Sequence, residues 1–242
     1  MNWKQEIQKR LQELGVDILS LSDQQFQLNS KKVQLIDAET MVQDASADIV
    51  IHEDIFQLRP NQVLSRLKSL SGLNERKVHG RKTKVRKISK ETASSFIEEN
   101  HLMGFGGGKF FYGLMEKEEL VAVAVFSRTV WMKNENPPYN STELVRYCSK
   151  SGYTVVGGLD KFVQYFFKNH ETDDLVTYID KEWSDGSSYE RIGFKKVEET
   201  EPLKFLVERT TWKRRPFEGS DLRKGHYLVS NRGNLKLRRV RG

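Results

Sequence analysis

The stretch VVGGLDKFVQYFF, residues 155–167, combines the two signals that decide the fold of this 242-residue chain. A short apolar run reaches Gly157 and Gly158, and apolar residues then recur at helical spacing. A strand that leads through glycines into a helix presents backbone N–H groups at the helix N-terminus, and these suit a phosphate or pyrophosphate. The same pattern is typical of a plain tight turn, so the glycines alone leave both interpretations open.

The segments around this stretch predict a mixed sheet. KFFYGLMEKEELVAVAVFSR, residues 109–128, predicts two apolar strands joined by a charged four-residue turn. TELVRYCSK, residues 142–150, and DLVTYID, residues 174–180, predict two further strands, and SSYERIGF, residues 187–194, predicts a short helix that ends at Gly193. Because the first strands are antiparallel and one helical crossover follows, we expect an α/β (α+β) fold with flanking helices.

Composition divides the chain into three parts. Residues 1–75 predict a small α+β unit with a hairpin that turns at Asn29-Ser30, and a basic linker follows it. Residues 76–212 contain the predicted mixed sheet, and residues 213–242 form a basic extension in which GHYLVSNRGNLKLRR predicts two strands joined by an Asn-Arg-Gly turn.

Charge and cysteine content limit the class of protein. The formal net charge is +7, which favours a polyanionic partner such as nucleic acid or a phosphate-rich cofactor. Cys148 is the single cysteine, so no disulfide can form within the chain, and its apolar strand predicts a buried core thiol. No apolar run is long enough to span a membrane, and we expect a cytoplasmic protein.

Basic residues concentrate in two places. Residues 73–90 hold eight Lys/Arg against one acid, and residues 203–242 hold twelve against three, interleaved with aromatic side chains. Such a surface suits phosphate contacts and base stacking, whereas the alternative is a solvated strand edge. The cations of the tail assigned to nucleic-acid contact are Lys213, Arg214, Arg215, Arg238 and Arg239.

The motif YIDKEWSDGSSYERIGF, residues 178–194, together with the preceding glycines, resembles the GNAT acetyltransferase superfamily. In that superfamily a strand leads into a Gly-rich pyrophosphate loop and a helix, and a later helix ends in a pattern like xxYxxxGF. Tyr189, Gly193 and Phe194 match this pattern. The resemblance implies an acyltransferase that uses acyl-CoA, with acetyl-CoA as the expected donor, and implies that Tyr189 protonates the leaving thiolate. On its own, Tyr189 could equally be a half-buried aromatic residue.

The resemblance also assigns the cofactor site. It implies that pyrophosphate binds at the end of the strand and the start of the helix, with a lysine as a nearby cation. The superfamily usually has a basic residue or Gln leading into this loop, and TVVGGLDK has neither, while Asp160 lies close by. The assigned residues are Val155, Val156, Gly157, Gly158 and Lys161.

A narrower resemblance covers residues 78–212. NHLMG, ELVRYC and VVGGLDKFVQYFFKNH are similar to a GNAT-like domain of phage and mobile-element proteins, and to the Mom group of DNA-modification proteins, which alter adenine. This resemblance implies DNA or another nucleic acid as partner. Residues 1–75 resemble the end of an upstream nuclease-like domain whose metal-binding acid cluster is not recognisable here. The residues that the pattern touches are His101, Glu143, Arg146, Asp180 and Tyr189.

Each of these polar residues keeps two interpretations. His101 could be a base or a metal ligand, or it could only cap a helix. Asp180 closes a strand, where it could orient an amine or act as a base, or it could only form a turn. Glu143 and Arg146 lie three apart on one strand, so we expect opposite faces, with one residue reaching the site and the other supporting the sheet. The five histidines are scattered and no CxxC occurs, so no metal site is assigned.

The sequence therefore favours a GNAT-fold, Mom-like acyltransferase that modifies an amine on nucleic acid, with Tyr189, Asp180, His101 and Glu143 as candidate catalytic residues and Arg146 as a nucleic-acid contact. Two alternatives stay open. One is a non-catalytic GNAT-like DNA-binding module, and the other is an acetyl-CoA-dependent N-acetyltransferase of a small molecule or protein.

Overall fold

The computed structural model describes residues 2–40, 44–217, 219 and 224–242. The chain divides into two compact units, each built from separate stretches of sequence. Unit 1 consists of Met1–Leu73, Ile179–Asp185 and Glu199–Leu235, and unit 2 consists of Asn74–Tyr178, Gly186–Glu198 and Lys236–Gly242.

This division differs from the three contiguous parts that the sequence predicts. The first predicted boundary, after residue 75, lies two residues beyond Leu73. The second predicted boundary, after residue 212, has no counterpart, because Glu199–Leu235 belongs to unit 1. Strands that pair with partners far away in sequence decide this arrangement, and composition alone does not reveal them.

Unit 1 begins with a helix and a four-stranded sheet in the order β1-β2-β3-β4. The predicted hairpin is confirmed, since β2 and β3 pair antiparallel and Asn29 turns between them at a φ of 53°. β3 and β4 pair parallel. The elements are α1 (Trp3–Glu13), β1 (Ile18–Ser22), β2 (Gln25–Leu28), β3 (Lys31–Ile36), β4 (Ile49–His52), α2 (Glu53–Leu58) and α3 (Pro60–Leu70).

α1 shows how local sequence determines a helix here. The Asn2 side chain accepts a hydrogen bond from the Lys4 N–H at 3.1 Å and caps the N-terminus. Trp3, Ile7 and Leu11 are spaced four apart, so they share one face, and all three are buried.

Unit 2 contains most of an eight-stranded mixed sheet with helices packed against it. The elements that lie wholly or mostly in unit 2 are β5 (Arg76–His79), a 3₁₀ turn (Gly80–Lys82), β6 (Lys84–Lys87), α4 (Lys90–Asn100), β7 (Phe110–Glu116), β8 (Glu119–Phe126), β9 (Val130–Met132), β10 (Tyr139–Ser149), β11 (Tyr153–Val156), α5 (Gly158–Asn169), β12 (Asp174–Asp180), α6 (Ser187–Glu190) and β13 (Lys195–Glu199). The remaining strands are β14 (Lys204–Glu208), β15 (Arg214–Pro216), β16 (His226–Ser230) and β17 (Asn234–Val240).

The eight-stranded sheet has the order β13-β17-β12-β10-β8-β7-β6, and β9 pairs with β10 beside this path. The predicted hairpin of β7 and β8 is confirmed, although only Lys117 and Glu118 form its turn. β10 and β12 pair parallel, and α5 connects them as the predicted helical crossover.

The helices α4 and α5 cover opposite faces of this sheet. Val125 of β8 belongs to the apolar cluster that includes Ala93 and Ile97 of α4. Phe126 is the next residue, so it points to the other face, and its ring stacks on Phe166 of α5 at 4.1 Å. Both faces of the central strands are therefore buried, which explains their nearly continuous apolar sequence.

A β-bulge in β10 corrects the prediction that Glu143 and Arg146 face opposite sides. Leu144 pairs with Phe126 and Arg146 with Val125, so Val145 is an extra residue opposite β8. The extra residue restores Glu143 and Arg146 to the same face, the one covered by α4. Simple alternation along a strand predicts the opposite result because it assumes a regular ladder.

Two features of the connections go beyond the predictions. The basic linker near residues 73–90 contains strands, since β5 pairs parallel with β11 and β6 is the edge strand beside β7. The two predicted tail strands are confirmed as β16 and β17, but they do not pair with each other. β16 pairs with β14 in a three-stranded sheet of order β15-β14-β16, whereas β17 lies between β13 and β12. Among the described residues, none of the helices is long and apolar enough to cross a membrane.

Candidate active site

Gly157 and Gly158 are glycines for different structural reasons. Gly157 is the N-cap of α5 in the left-handed conformation, with a φ of 72°, and a Cβ placed on it would meet nothing within 4 Å. Gly158 is buried, and a Cβ there would lie 2.8 Å from Val155 Cγ1 and 3.1 Å from the Tyr147 hydroxyl. Packing therefore requires Gly158, whereas Gly157 leaves open space in front of a helix N-terminus.

A segment from a distant part of the sequence lies against this turn. β5 pairs in register with β11, His79 opposite Val156, and the chain then continues into the 3₁₀ turn. Gly80 packs so closely that a Cβ there would lie 3.0 Å from the Val156 carbonyl oxygen and 3.1 Å from that of Gly157. The Gly157 turn is therefore built from two strands that are far apart in the chain.

Lys161 holds this segment in place. Its Nζ donates to the Gly80 carbonyl at 2.8 Å and also to the Thr83 carbonyl. The ammonium group of Lys161 therefore uses two of its three N–H donors on carbonyl oxygens, and its role as a cation for pyrophosphate stays a prediction. Asp160, which by sequence opposes a bound phosphate, forms an ion pair with Arg239 at 2.9 Å.

Two cations that the sequence does not connect with the turn lie on the adjacent segment. Arg81 and Lys82 directly follow Gly80, both are exposed, and neither forms an ion pair within the described part of the chain. Arg81 and Lys82 are therefore candidate cations for a ligand at the Gly157 turn, and the sequence motifs do not identify them. The only sequence signal is the basic run itself, because the parallel pairing of β5 with β11 cannot be read from local patterns.

Arg146 is partly buried beneath a glycine-rich loop. Its Nε donates to the Gly104 carbonyl at 3.1 Å and its Nη1 to the Val145 carbonyl at 2.8 Å. A Cβ on Gly106 would lie 3.0 Å from the guanidinium carbon, so only glycine fits there without displacement. Burial lowers the pKa of Arg146, and the nearby Glu143 and Tyr189 oppose this shift.

Glu143 is half-buried on the same face. Its backbone is fixed on both sides by Ser127, whose N–H donates to the Glu143 carbonyl at 2.9 Å and whose hydroxyl accepts from the Glu143 N–H at 3.0 Å. Burial raises the pKa of the Glu143 carboxyl, and Arg146 partly counters this effect. A carboxyl group with a raised pKa suits a general base near neutral pH.

Tyr189 lies half-buried in α6, and the GF pattern has a structural explanation. The Phe194 N–H donates to the Tyr189 carbonyl at 3.2 Å, and the two rings pack edge to face at 5.7 Å. Gly193 between them has a φ of 88°. The motif closes a tight turn, which fixes the Tyr189 ring within electrostatic range of Arg146.

His101 occupies the C-cap of α4, as one of its two interpretations predicts. Its backbone N–H donates to the Ile97 carbonyl at 2.8 Å, and its Nδ1 accepts from the Met103 N–H at 3.0 Å. Within the described ranges, no group of three or more His, Cys, Asp or Glu residues could hold a metal ion. The catalytic role of His101 stays a prediction.

Asp180 belongs to unit 1, whereas the other catalytic candidates belong to unit 2. Its carboxyl accepts from the Glu182 N–H at 2.9 Å, with Arg214 and His52 as further charged neighbours. Burial, reinforced by Glu182, raises the pKa of Asp180 to about 6. Its joint action with Tyr189 stays a prediction.

Most arginines predicted to contact nucleic acid make internal contacts instead. Arg214 forms two hydrogen bonds with buried Asp54, at 2.5 and 3.0 Å. Arg238 pairs with Asp174, and Arg239 pairs with Asp160. These three cations form ion pairs within their own units, and their contact with nucleic acid stays a prediction. Lys213 is exposed, while Arg146 and Arg215 are partly buried.

Cys148 lies in the core beneath α4, as predicted. Burial raises the pKa of its thiol to about 12, so the thiol stays protonated at neutral pH. This environment suits packing and does not suit a nucleophile.

Comparison with known proteins gives weak likenesses only. No protein-family model matches the chain, and no curated protein matches its sequence. A GNAT family acetyltransferase from Elizabethkingia anophelis with acetyl-CoA bound is 12% identical, over 66% of this chain and 99% of that one, with a TM-score of 0.39. A Bacillus subtilis acetyltransferase in complex with CoA is 14% identical, over 66% and 100%, with a TM-score of 0.40. The ribosomal-protein-S18-alanine N-acetyltransferase from Escherichia coli is 11% identical, over 65% and 93%, with a TM-score of 0.41. Because these values are low, the superfamily stays a prediction from the sequence motifs.

Proposed function

We propose that unit 2 is an acyltransferase domain that transfers an acyl group from a CoA thioester, such as acetyl-CoA, to an amine. The observation that carries this proposal is the start of α5, where Gly157 leaves open space before a helix N-terminus. Backbone N–H groups at this end, with exposed Arg81 and Lys82 on the adjacent segment, suit a pyrophosphate. Asp160 does not oppose the bound charge, because it is paired with Arg239.

The chain supplies groups for the proton transfers. Bound acyl-CoA would supply the activated acyl group. The Glu143 carboxylate can accept a proton from the acceptor amine, and its raised pKa brings it closer to neutral pH. The Tyr189 hydroxyl can act as the general acid, donating its proton to the leaving thiolate of CoA. Asp180 and His101 are the alternative bases.

Ligand binding tests the cofactor. Acetyl-CoA at 100 times its Kd should stabilise the intact chain by about 2.7 kcal/mol in thermal unfolding. The double variant Arg81→Gln/Lys82→Gln should bind at least about tenfold more weakly in calorimetry, because charge-assisted hydrogen bonds are lost. Lys133→Gln/Lys168→Gln removes the same charge from exposed positions elsewhere in unit 2 and should bind normally. Absence of stabilisation by any acyl-CoA would overturn the proposal.

We infer further that the acceptor amine belongs to nucleic acid. Support comes from the net charge of +7 and from cations on β5 and β6, since Lys77, Lys84 and Lys87 are exposed and form no ion pair within the described residues. Binding to a DNA duplex should weaken steeply as salt is added. The logarithm of the association constant should fall with the logarithm of the salt concentration with a slope of roughly −0.9 per phosphate contact. Mass spectrometry of nucleosides from cells with and without the protein should reveal an acylated base.

A small-molecule or protein amine is the second candidate. The observation that favours it is the internal pairing of Arg214, Arg238 and Arg239, which removes three cations from the predicted DNA surface. Tight acetyl-CoA binding without duplex binding near physiological salt would favour this candidate. Salt-dependent duplex binding without any response to acyl-CoA would instead indicate a non-catalytic binding module.

A further inference from the structure

Arg146 is a partly buried cation without an ion-pair partner among the described residues. Within the same residues, its guanidinium donates to two backbone carbonyls, those of Gly104 and Val145, at 3.1 and 2.8 Å. Removing a cation from water costs free energy unless a nearby negative charge compensates for the lost hydration. The pKa of Arg146 is lowered because its burial carries this cost.

Local structure keeps the guanidinium in this environment. The β-bulge at Val145 turns Arg146 toward the face covered by α4. Gly106 then passes so close to the guanidinium that a Cβ there would lie 3.0 Å from its central carbon and would displace it. A bulge and a glycine-rich loop therefore both act to place one positive charge.

The titratable groups around Arg146 define what this charge can influence. Its electrostatic neighbours are Glu143, Cys148 and Tyr189. Cys148 stays a neutral thiol because burial raises its pKa to about 12. On α4, which packs on this face, Glu98 accepts from the Phe105 N–H at 2.7 Å, and His101 Nδ1 is bonded to Met103 as described above.

We infer that Arg146 is a positioning residue that favours the ionised forms of Glu143 and Tyr189. The inference deepens the proposed function and rests on it. A base must be ionised to accept a proton, and an acid must form an anion when it releases one. One fixed positive charge near both groups helps both steps, because it stabilises the carboxylate and the phenolate alike.

The first test is the pH dependence of kcat/KM. Its acidic limb reports the base and its basic limb reports the acid. Arg146→Gln removes the charge, so both limbs should move to higher pH by about one pH unit. Arg146→Lys keeps the charge and should retain most of the wild-type limb positions. If Arg146 only supported the fold, both variants would lose rate with unmoved limbs, which would overturn the inference.

The second test needs neither cofactor nor activity. Carbon-13 NMR of labelled Glu and Tyr side chains should follow the titration of Glu143 and Tyr189 directly, with Glu143→Gln and Tyr189→Phe used for assignment. Arg146→Gln should raise both midpoints by about one pH unit. Arg128→Gln removes the same charge from an exposed position just beyond β8 and should leave both midpoints unchanged.

Two outcomes separate this inference from the proposed function. If acyl-CoA binds but neither midpoint moves in Arg146→Gln, the inference is wrong and the proposed function stands. If both midpoints move but no acyl-CoA binds, the electrostatic role stands and the proposed function fails. Should Arg146→Gln not fold, Gly106→Ala displaces the guanidinium without removing it and should move both midpoints in the same direction. Unchanged midpoints in that variant would overturn the inference.

Discussion

Replacing Asp180 by Asn should make the protein more stable at neutral pH. The Asp180 carboxyl is buried in unit 1 beside Glu182, Arg214 and His52, and it accepts one hydrogen bond from the Glu182 N–H. Burial and Glu182 raise its pKa from the usual 3.8 to about 6. An Asn side chain can accept the same hydrogen bond and carries no charge to bury.

The size and sign of the expected change in the free energy of unfolding follow from proton linkage. Between about pH 4 and pH 6 the unfolded chain has already lost the Asp180 proton while the folded chain keeps it. Stability from this group is therefore fully present below pH 3.8 and is lost as the pH rises through 6. At about 1.4 kcal/mol per pH unit, the difference between 3.8 and about 6 corresponds to roughly 3 kcal/mol.

Urea denaturation across this pH range tests the reasoning. Asp180→Asn should match the wild type near pH 4 and exceed its free energy of unfolding by up to roughly 3 kcal/mol at pH 7. Asp23→Asn, at an exposed position of unit 1, should follow the wild-type profile. A variant that is less stable than the wild type at pH 7, or that runs parallel to it at every pH, would refute the argument. If Asp180 also moves a proton in catalysis, the variant should lose at least about tenfold in turnover while it gains stability.

Three further experiments test separate features of the protein. Gly157→Ala and Gly15→Ala introduce a Cβ at φ values of 72° and 74° with open space around it, so each should cost about 1 kcal/mol in urea denaturation, but only Gly157→Ala should weaken acetyl-CoA binding in calorimetry. Arg214→Gln leaves the Asp54 carboxylate buried without its partner and should lower the free energy of unfolding by about 3–5 kcal/mol; a loss below about 1 kcal/mol would contradict the paired geometry. Tyr189→Phe keeps the ring and its packing, so turnover should fall at least about tenfold with little change in stability, and an unchanged rate would remove Tyr189 from the mechanism.

Much of the fold could be predicted because it depends on local patterns. The hairpin of β7 and β8, the turn at Asn29 and the helix after Gly157 all follow from residues adjacent in sequence. Pairings between distant segments could not be predicted in this way. The position of β17 between β12 and β13 is such a pairing, and it explains why the tail is not a simple basic extension.

The same distinction applies to the candidate site. Motif spacing selects Gly157 and Tyr189, and both occupy ordered turns that suit their proposed roles. Arg81 and Lys82 escape a motif search, because only the pairing of β5 with β11 brings their segment to the helix. Charge counting also fails for Arg214, because the sequence does not reveal that Asp54 binds it.

The bulge in β10 makes the effect of losing a residue depend on where the residue lies. Deleting Val145 would remove the extra residue, so Leu144 and Arg146 would keep Phe126 and Val125 as partners in a regular ladder. Tyr147, which packs on Phe162 of α5, and Cys148, which packs beneath α4, would keep their sides of the sheet. A one-residue gap at Val145 in a related sequence therefore leaves the same side chains facing the site, whereas a gap at another position within β10 exchanges the two faces for every residue on one side of it.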